Sequence, residues 1–494
     1  MQLSYFAIPS LTYNFVQLTA RIICVVYISA MKNEKPHNFG VLILAAGLGV
    51  RMKSKLPKVL HCLYKKPLIG YVLSAVDGLK PNGIGIVVGH QSQKVKNAVS
   101  ENLKNWGVKT PVRFIKQNQL TGSGRAIMSA KSFIAKYKNV VILCGDTPLT
   151  ETKTLNNLLK KYVQSKAKGI IVTFEIDDPS GYGRIVTDDK GFLVKIVEQP
   201  HLEAETSKIN EVNSGTYVFE TKTLLSVLGK LKQKGRKKEF YLTDVIEFIN
   251  EKHDKMLAYK IKDFVQGLGI NSRNQLAKVQ KILQKRTNDE LMRNGVTLVN
   301  PDSTYIHPEV EIGMDTIIYP NVLIEGKTVI GSGVVIESNC LIKQCNIQGN
   351  VIIKAGSYLE GSDILKDCII GPYAHIRPGC KVGPKVKFGN FCEAKKSVIS
   401  AGSKIPHLSY VGDSIIGKKV NIGAGTITCN YDGSRKSKTI IEDGVFVGSN
   451  VNLIAPVKVS KKAVIGAGST ITNDVPSGSL AIARQRQINK KRKK

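Results

Sequence analysis

Seven isoleucines recur at every sixth position: Ile306, Ile312, Ile318, Ile324, Ile330, Ile336 and Ile342. A six-residue period fits neither the 3.6-residue helix nor a plain two-residue alternation, so each unit must supply one short strand and a corner. The rhythm slips by a residue at Ile347 and Ile353. It returns at Ile370, Ile376, Val382 and Phe388, and again at Ile441, Val447, Leu453, Val459, Ile465 and Ile471. Glycine often follows the aliphatic residue, as in Ile312-Gly313 and Ile465-Gly466, where a tight corner favours a residue without a β-carbon. One repeat buries too little to stand alone, so roughly the last third of the chain is expected to be a single stacked solenoid.

A length of 494 residues suggests two or three domains, and 42% hydrophobic with 22% charged residues describes a globular protein with ample core. Nine cysteines are scattered without a C-x-x-C pair, and the closest two, Cys340 and Cys345, read as falling at unrelated phases of the repeat. That argues against a zinc site or a disulfide framework and for burial as small apolar groups in a reducing, cytoplasmic compartment. The net charge of +34, from 72 basic and 38 acidic residues, invites a nucleic-acid reading. The lysines are spread along the whole chain, however, and the one dense run is the tail from Arg484 to Lys494, so no nucleic-acid partner is expected. A surface that attracts phosphate-rich substrates accounts for the charge equally well. The apolar stretch Leu18 to Ala30 contains Arg21 and is too short to span a bilayer. Residues 1–30 are expected to be a dispensable extension, with Met31 as an alternative start and no stable membrane insertion.

In the first half an apolar strand, Phe39 to Leu44, runs into Ala45-Ala46-Gly47-Leu48-Gly49-Val50-Arg51-Met52 and on to Leu56-Pro57-Lys58. Amides of a glycine-rich loop after a strand can surround phosphate oxygens, and Arg51 and Lys58 can neutralise charge developing on them. Further strands at Ile84 to Val88, Val140 to Cys144 and Ile171 to Phe174 alternate with helical stretches, which predicts a doubly wound α/β domain with its ligand at the strands' carboxyl ends. Asp146, directly after Val140 to Cys144, suits a hard divalent cation beside phosphates, although a turn Asp facing solvent reads the same way. The loop fits neither G-x-G-x-x-G nor the Walker spacing.

More short signals follow in order: Gln117 with Gly122-Ser123-Gly124, then Asp178-Pro179-Ser180-Gly181-Tyr182-Gly183-Arg184, Ile196-Val197-Glu198, Asn213-Ser214-Gly215, Tyr241-Leu242-Thr243-Asp244 and Gly269-Ile270-Asn271. This series, followed by a hexapeptide solenoid, resembles the bacterial bifunctional N-acetylglucosamine-1-phosphate uridyltransferases and glucosamine-1-phosphate acetyltransferases over residues 39 to about 485. The resemblance implies an α/β chain with a doubly wound Rossmann-like nucleotidyltransferase domain (39–271), a linker helix (272–302), a left-handed parallel β-helix of hexapeptide repeats (303–485) and a basic tail (486–494). It makes Leu44, Ala45, Ala46, Gly47, Gln117, Gly122 and Ser123 the uridine nucleotide contacts, with Arg51 and Lys58 on the triphosphate. Gly183, Glu198 and Asn213 would hold N-acetylglucosamine-1-phosphate, and Asp146 and Asn271 would bind Mg²⁺. Val50 stands where the family usually has Thr. Leu120 lies where a second Gln commonly touches the uracil.

In the helix expected from Ser272 to Arg293, Ser272 can act as cap, and Leu276, Val279, Ile282 and Leu283 share one face. In the solenoid, Asn390 to Lys396 and Gly402 to Tyr410 carry polar groups that read as breaks in the aliphatic rhythm, and such departures often mark function. A lone histidine such as His407 is more often a surface residue, but within the acetyltransferase pattern it matches the general base. Arg377 and Lys395 match sugar-phosphate anchors, Tyr410 and Asn421 further substrate contacts, and Glu393 an orienting partner. The segment Asn421 to Gly433 reads as a loop that interrupts the next coil and would present Ala424, Asn430 and Tyr431 to the acetyl donor or sugar, while Ser449, Ala467 and Arg484 match coenzyme A contacts. The co-substrates implied are glucosamine-1-phosphate, acetyl-CoA and UTP, and the assembly a homotrimer. The alternative is a different sugar-1-phosphate nucleotidyltransferase whose solenoid is purely structural.

Overall fold

Seven consecutive residues, Phe39–Ala45, form a strand (β1) in which six residues are buried. A strand apolar on both faces belongs at the centre of a sheet covered on both sides. The computed structural model describes residues 38–235, 238–490 and 492, so the expected extension at 1–30 and residues 491, 493 and 494 of the tail lie outside the described residues. Two compact units divide between Val279 and Gln280.

The first unit continues with Gly83–Val88 (β2), Val112–Lys116 (β3), Asn139–Cys144 (β4), Gly169–Glu175 (β5), Arg184–Thr187 (β6), Leu193–Val197 (β7), Glu211–Glu220 (β8) and Met256–Lys260 (β9). The strand order is β9-β5-β8-β4-β1-β2-β3, with the β6–β7 hairpin attached to β8. Neighbours along this path run parallel, except that β8 is antiparallel to both β4 and β5. Alternate residues of β1 serve opposite cores. Val41 and Ile43 pack with Val72 and Leu73 of helix α1 (Leu68–Asp77), Val95 and Val99 of α2 (Ser92–Asn102) and Leu155 and Leu158 beyond the sheet. Leu42 packs with Ala126 and Ile127 of α3 (Ser123–Ser129) and with Val245 and Ile246. Helices therefore cover both faces, as a doubly wound sheet requires. Register sets Leu44 beside Cys144, which brings the loops that follow β1 and β4 together at one edge.

Helix α4 (Arg273–Arg293) begins as expected, with the Gln275 amide donating to Ser272 Oγ at 3.3 Å. Its expected apolar face is only partly realised: Val279 is buried, whereas Leu276, Ile282 and Leu283 are half-buried. The deeper positions are Gln284 and Asn288. Gln284 Nε2 donates to the carbonyls of Pro301, Asp302 and Thr304 at 2.9–3.1 Å, and Asn288 Nδ2 to those of Pro301 and Thr304 at 2.8 and 3.0 Å. Two amides thus help satisfy the backbone carbonyls at the start of the solenoid, which an aliphatic side chain could not do.

The second unit is a left-handed parallel β-helix of three sheets with 11, 10 and 9 strands. Each strand pairs with the one a coil later, 18 residues on from Ile318 to Ile336 and 17 on from Ile336 to Ile353. The repeating isoleucines point inward and are almost completely buried, Ile312 being half-buried. The residue lost in a 17-residue coil explains the slip at Ile347.

Two sequence readings are corrected here. Cys340 and Cys345 share one phase, each two residues before an inward isoleucine, and Cys368, Cys380 and Cys392 stand likewise two before the inward Ile370, Val382 and Ala394, all buried. The stretches at Asn390 to Lys396 and Gly402 to Tyr410 do not interrupt the coil. Phe388, Ala394, Ile399, Ile405 and Val411 remain inward, with Ala394 keeping the phase in a smaller side chain. The coil is interrupted at the loop expected after Asn421, where Ile422 pairs with Val447, 25 residues on, and the extra chain forms a loop closed by the Tyr431–Lys436 bridge.

Candidate active sites

The loop after β1 turns at Gly49, whose φ of 61° and close packing against Lys58 leave no room for a β-carbon, which would fall 2.8 Å from Lys58 Cβ. Lys58 is thereby held over the end of β4, where Nζ forms an ion pair with Asp146 and donates to Asn271 Oδ1 at 2.9 Å. The Ile270 amide donates to the Asp146 carbonyl at 3.0 Å, which ties the two oxygen donors together. A carboxylate and an amide oxygen converging on one cation form a hard donor set. The pair fits Mg²⁺, which takes few protein ligands and keeps water and phosphate oxygens for the rest.

A pocket of about 380 Å³ opens beside this pair. Leu44, Ala45, Ala46, Gly47, Lys58, Gln117, Gly122, Ser123 and Asp146 all line it. Leu48, Val50, Leu120, Ala126, Cys144 and Glu239 line it as well, beyond the contacts the resemblance supplied. Gly122 has φ 94°, and a β-carbon there would meet the Phe240 carbonyl at 2.4 Å, so the chain can pass this close only as glycine. Burial pushes the Cys144 thiol up to about 12, with the Asp146 carboxylate adding to it, which keeps this cysteine neutral and unreactive.

Arg51 is exposed on the loop and lies outside the pocket lining. Gly183 and Asn213 are joined by a 2.9 Å bond from the Asn213 amide to the Gly183 carbonyl, and Asn213 Nδ2 donates to Tyr217 at 2.7 Å. Glu198 lines a separate small pocket with His201, Tyr241 and Asp244, and accepts from Thr243 Oγ1 at 2.9 Å. Burial raises its carboxyl above the ordinary range, against the lowering effect of that hydroxyl.

On the solenoid, stacking turns sequence distance into a line. Asn390 pairs in register with His407, and their strands continue through Asn421–Ile422, Phe446–Val447 and Val464–Ile465. His407, Ala424, Ser449 and Ala467 each stand two residues beyond the inward Ile405, Ile422, Val447 and Ile465, so they occupy one edge of successive coils. Arg484 Nη1 folds back onto the Ala467 carbonyl at 2.6 Å and ends the line. Asn390 Oδ1 accepts from His407 Nδ1 at 2.5 Å.

The neighbouring sheet holds the charged groups. His375, Glu393 and Tyr410 stack in register, and Arg377 Nη1 donates to Glu393 Oε1 at 2.8 Å. Lys395 faces Lys436 of the inserted loop, whose contact and charge, with that of Arg377, hold its ammonium below the usual lysine range. Lys436 escaped the sequence reading, and Asn390 entered it only as the first residue of a polar stretch with no role of its own, because neither spacing nor residue type sets them apart. Asn430 Nδ2 donates to Asp413, which braces the loop, while Tyr431 is exposed.

Residues 40–269 match the family described as nucleotidyl transferase, and residues 309–344 the bacterial transferase hexapeptide (six repeats). The chain is 45% identical over 450 residues to the bifunctional protein GlmU of Listeria monocytogenes serotype 4a, covering 91% of this chain and 96% of that one. Identity to the protein of the same name from Carboxydothermus hydrogenoformans is 45% over 449 residues, covering 91% and 98%. For Shouchella clausii it is 42% over 450 residues, covering 91% and 97%. With both catalytic folds matched and the relatives covered almost end to end, the chain belongs to the bifunctional GlmU family of uridyltransferase–acetyltransferases.

Proposed function

We propose that the solenoid edge transfers acetyl from acetyl-CoA to glucosamine-1-phosphate, and that the β1–β4 pocket then joins N-acetylglucosamine-1-phosphate to UTP. The observation that carries this reading is the single line of His407, Ala424, Ser449 and Ala467, which gives the solenoid a ligand-length track ending in a cation. A purely structural solenoid has no need of one.

In the first reaction His407 Nε2 takes a proton from the 2-amino group as nitrogen attacks the thioester carbonyl and the thiol departs. Asn390 holds the imidazole with its proton on Nδ1, leaving Nε2 free to accept. Arg377 and Lys395 bind the sugar phosphate, joined by Lys436, and the crowding of three cations favours an anion between them. Tyr410 and Asn421 orient the sugar. Ala424, Asn430 and Tyr431 bound the acetyl end, and Ser449, Ala467 and Arg484 hold coenzyme A.

In the second reaction a sugar-phosphate oxygen attacks the α-phosphorus of UTP in line, and pyrophosphate leaves. Leu44 to Gly47, Gln117, Gly122 and Ser123 enclose the nucleotide, while Gly183, Glu198 and Asn213 position the acceptor. Asp146 and Asn271 would hold Mg²⁺, which supplies charge neutralisation across the phosphates when bound. Lys58 then moves its charge from Asp146 to phosphate oxygen, and Arg51 swings in from solvent. Positioning and charge supply the catalysis without a covalent enzyme intermediate.

Among the described residues no helix is long and apolar enough to cross a membrane. This reading places the enzyme in the cytoplasm as a homotrimer. Incubation with glucosamine-1-phosphate, acetyl-CoA, UTP and Mg²⁺, omitting one component at a time, tests both steps. Free thiol should appear without UTP, and pyrophosphate only with UTP and the acetylated sugar. Release of neither product defeats the reading.

A further inference from the structure

The β1–β4 pocket has two chemically different ends. Lys58 and Asp146 make one end ionic, whereas the other is made by Ala46, Gln117, Leu120, Ser123 and Ala126. A nucleoside triphosphate seated with its phosphates at Lys58 presents its base to that second end.

The second end offers little hydrogen bonding. Gln117 is 5% exposed and fixed from both sides, its backbone amide donating to the Val88 carbonyl at 2.8 Å and its Nε2 to the carbonyls of Gln119 and Gly122 at 2.9 and 3.3 Å. Both amide protons are thereby committed. Oε1 is left without a protein donor among the described residues, so Gln117 can only accept from a base. Ser123 Oγ is engaged by the Leu242 amide at 3.0 Å. Apart from Glu239, the remaining side chains there, Ala46, Leu120 and Ala126, are aliphatic, and Leu120 is the largest. Leu120 lies across Gly89 against Ala46, so closely that a β-carbon on Gly89 would fall 2.4 Å from Leu120 Cδ2 and 3.0 Å from Ala46 Cβ.

An acceptor that meets ring position N3 selects uracil and thymine, which carry N–H there, over cytosine, whose N3 is itself an acceptor and whose only pairing-edge donor is the exocyclic N4 amine. For the rest of the ring edge the polar side chains of this lining are Ser123, whose hydroxyl hydrogen can still donate, and Glu239, whose carboxylate oxygens accept. An aliphatic wall discriminates weakly against one added methyl, by roughly 10- to 200-fold at most, whereas a buried unmatched hydrogen bond costs about 10⁴-fold or more.

Resting on the reading of this pocket as the UTP site with Gln117 as its base contact, we propose that the Leu120 wall admits a 5-methyl group. Uridine and thymine nucleoside triphosphates are then alternative donors for the same transfer. The bonds made and broken are unchanged, since the methyl group is remote from the α-phosphorus.

The test uses the full-length protein with Mg²⁺ and N-acetylglucosamine-1-phosphate, and follows pyrophosphate release from UTP, 5-methyl-UTP, dTTP and CTP. 5-Methyl-UTP isolates the methyl from the missing 2′-hydroxyl of dTTP. Its kcat/KM is expected within about tenfold of that for UTP, with CTP lower by about 10³-fold or more. Leu120→Gln, which adds a polar group to the wall, is expected to lower the 5-methyl-UTP to UTP ratio about tenfold. Gln117→Leu is expected to erase most of the discrimination against CTP. A wild-type preference for UTP over 5-methyl-UTP above 100-fold overturns the proposal, as does an unchanged ratio in Leu120→Gln. Turnover with UTP alone removes this proposal only. Failure with UTP itself removes it together with the reading on which it rests.

Discussion

Asn390 Oδ1 and His407 Nδ1 lie 2.5 Å apart across one coil of the solenoid. An amide oxygen can only accept, so this contact fixes the imidazole tautomer. His407→Ala is expected to lower acetyl transfer about 10²- to 10⁴-fold, the usual share of a general base. Asn390→Ala should cost less, about tenfold. Because Asn390 acts through His407, the double variant should be no slower than His407→Ala alone. Additive losses measured by thiol release would show that Asn390 works independently of the imidazole.

Lys58 occupies the oxygens that a divalent cation needs. Lys58→Met is expected to lower uridyl transfer by about 10²-fold or more, through lost charge stabilisation. The same change should tighten Mn²⁺ binding in the absence of nucleotide, read by electron paramagnetic resonance, because Asp146 and Asn271 are then free. Equal Mn²⁺ affinity in the two proteins would show that Lys58 does not guard these groups.

Glu198 has a carboxyl raised by burial. Below the ordinary glutamate value of about 4.3 both folded and unfolded chains are protonated there and no penalty exists. As pH rises the unfolded chain ionises first, so stability falls until the folded carboxyl has also ionised. Glu198→Gln removes this term while keeping an acceptor for Thr243. Thermal scanning should find the variant's melting point raised near pH 7 and matched to the parent near pH 4. A gain that is the same at both values would place its origin elsewhere.

A β-carbon on Gly389 would fall 1.9 Å from the Pro406 carbonyl oxygen and 2.6 Å from its carbon, both backbone atoms. Gly389→Ala must therefore shift one coil against the next, at a cost of about 1–3 kcal/mol. Since Asn390 and His407 adjoin these residues, acetyl transfer should fall while uridyl transfer is retained. Unimpaired acetyl transfer would mean that the coils slide without disturbing the base.

The solenoid was legible because each six-residue unit buries one side chain, and isoleucine fills that place often enough to count. What the count could not show was the residue that compensates. At Ala394 and Thr428 the inward position holds a smaller group, and the same phase looked like a gap. Cys340 and Cys345 seemed unrelated because a five-residue step separates them. In the first unit the glycine loop and Asp146 could be found but not distinguished from ordinary turns until the resemblance joined them. Their convergence with Asn271 spans 213 residues from Lys58, a relation that no local pattern encodes. Gln284 and Asn288 were overlooked for a related reason: a helix face was sought in apolar residues, and the groups to be satisfied were carbonyls.

Parallel strands repeat at about 4.8 Å, so the edge from His407 through Ala424 and Ser449 to Ala467 is graduated in three equal steps, about 14 Å in all. It works as a ruler. A compact acyl donor such as acetyl phosphate can sit at the histidine end or at the arginine end but cannot bridge them, whereas a donor on a long flexible arm can touch both. The coil spacing, set by backbone hydrogen bonding alone, thereby becomes a measure of the length of the molecule that delivers the acyl group.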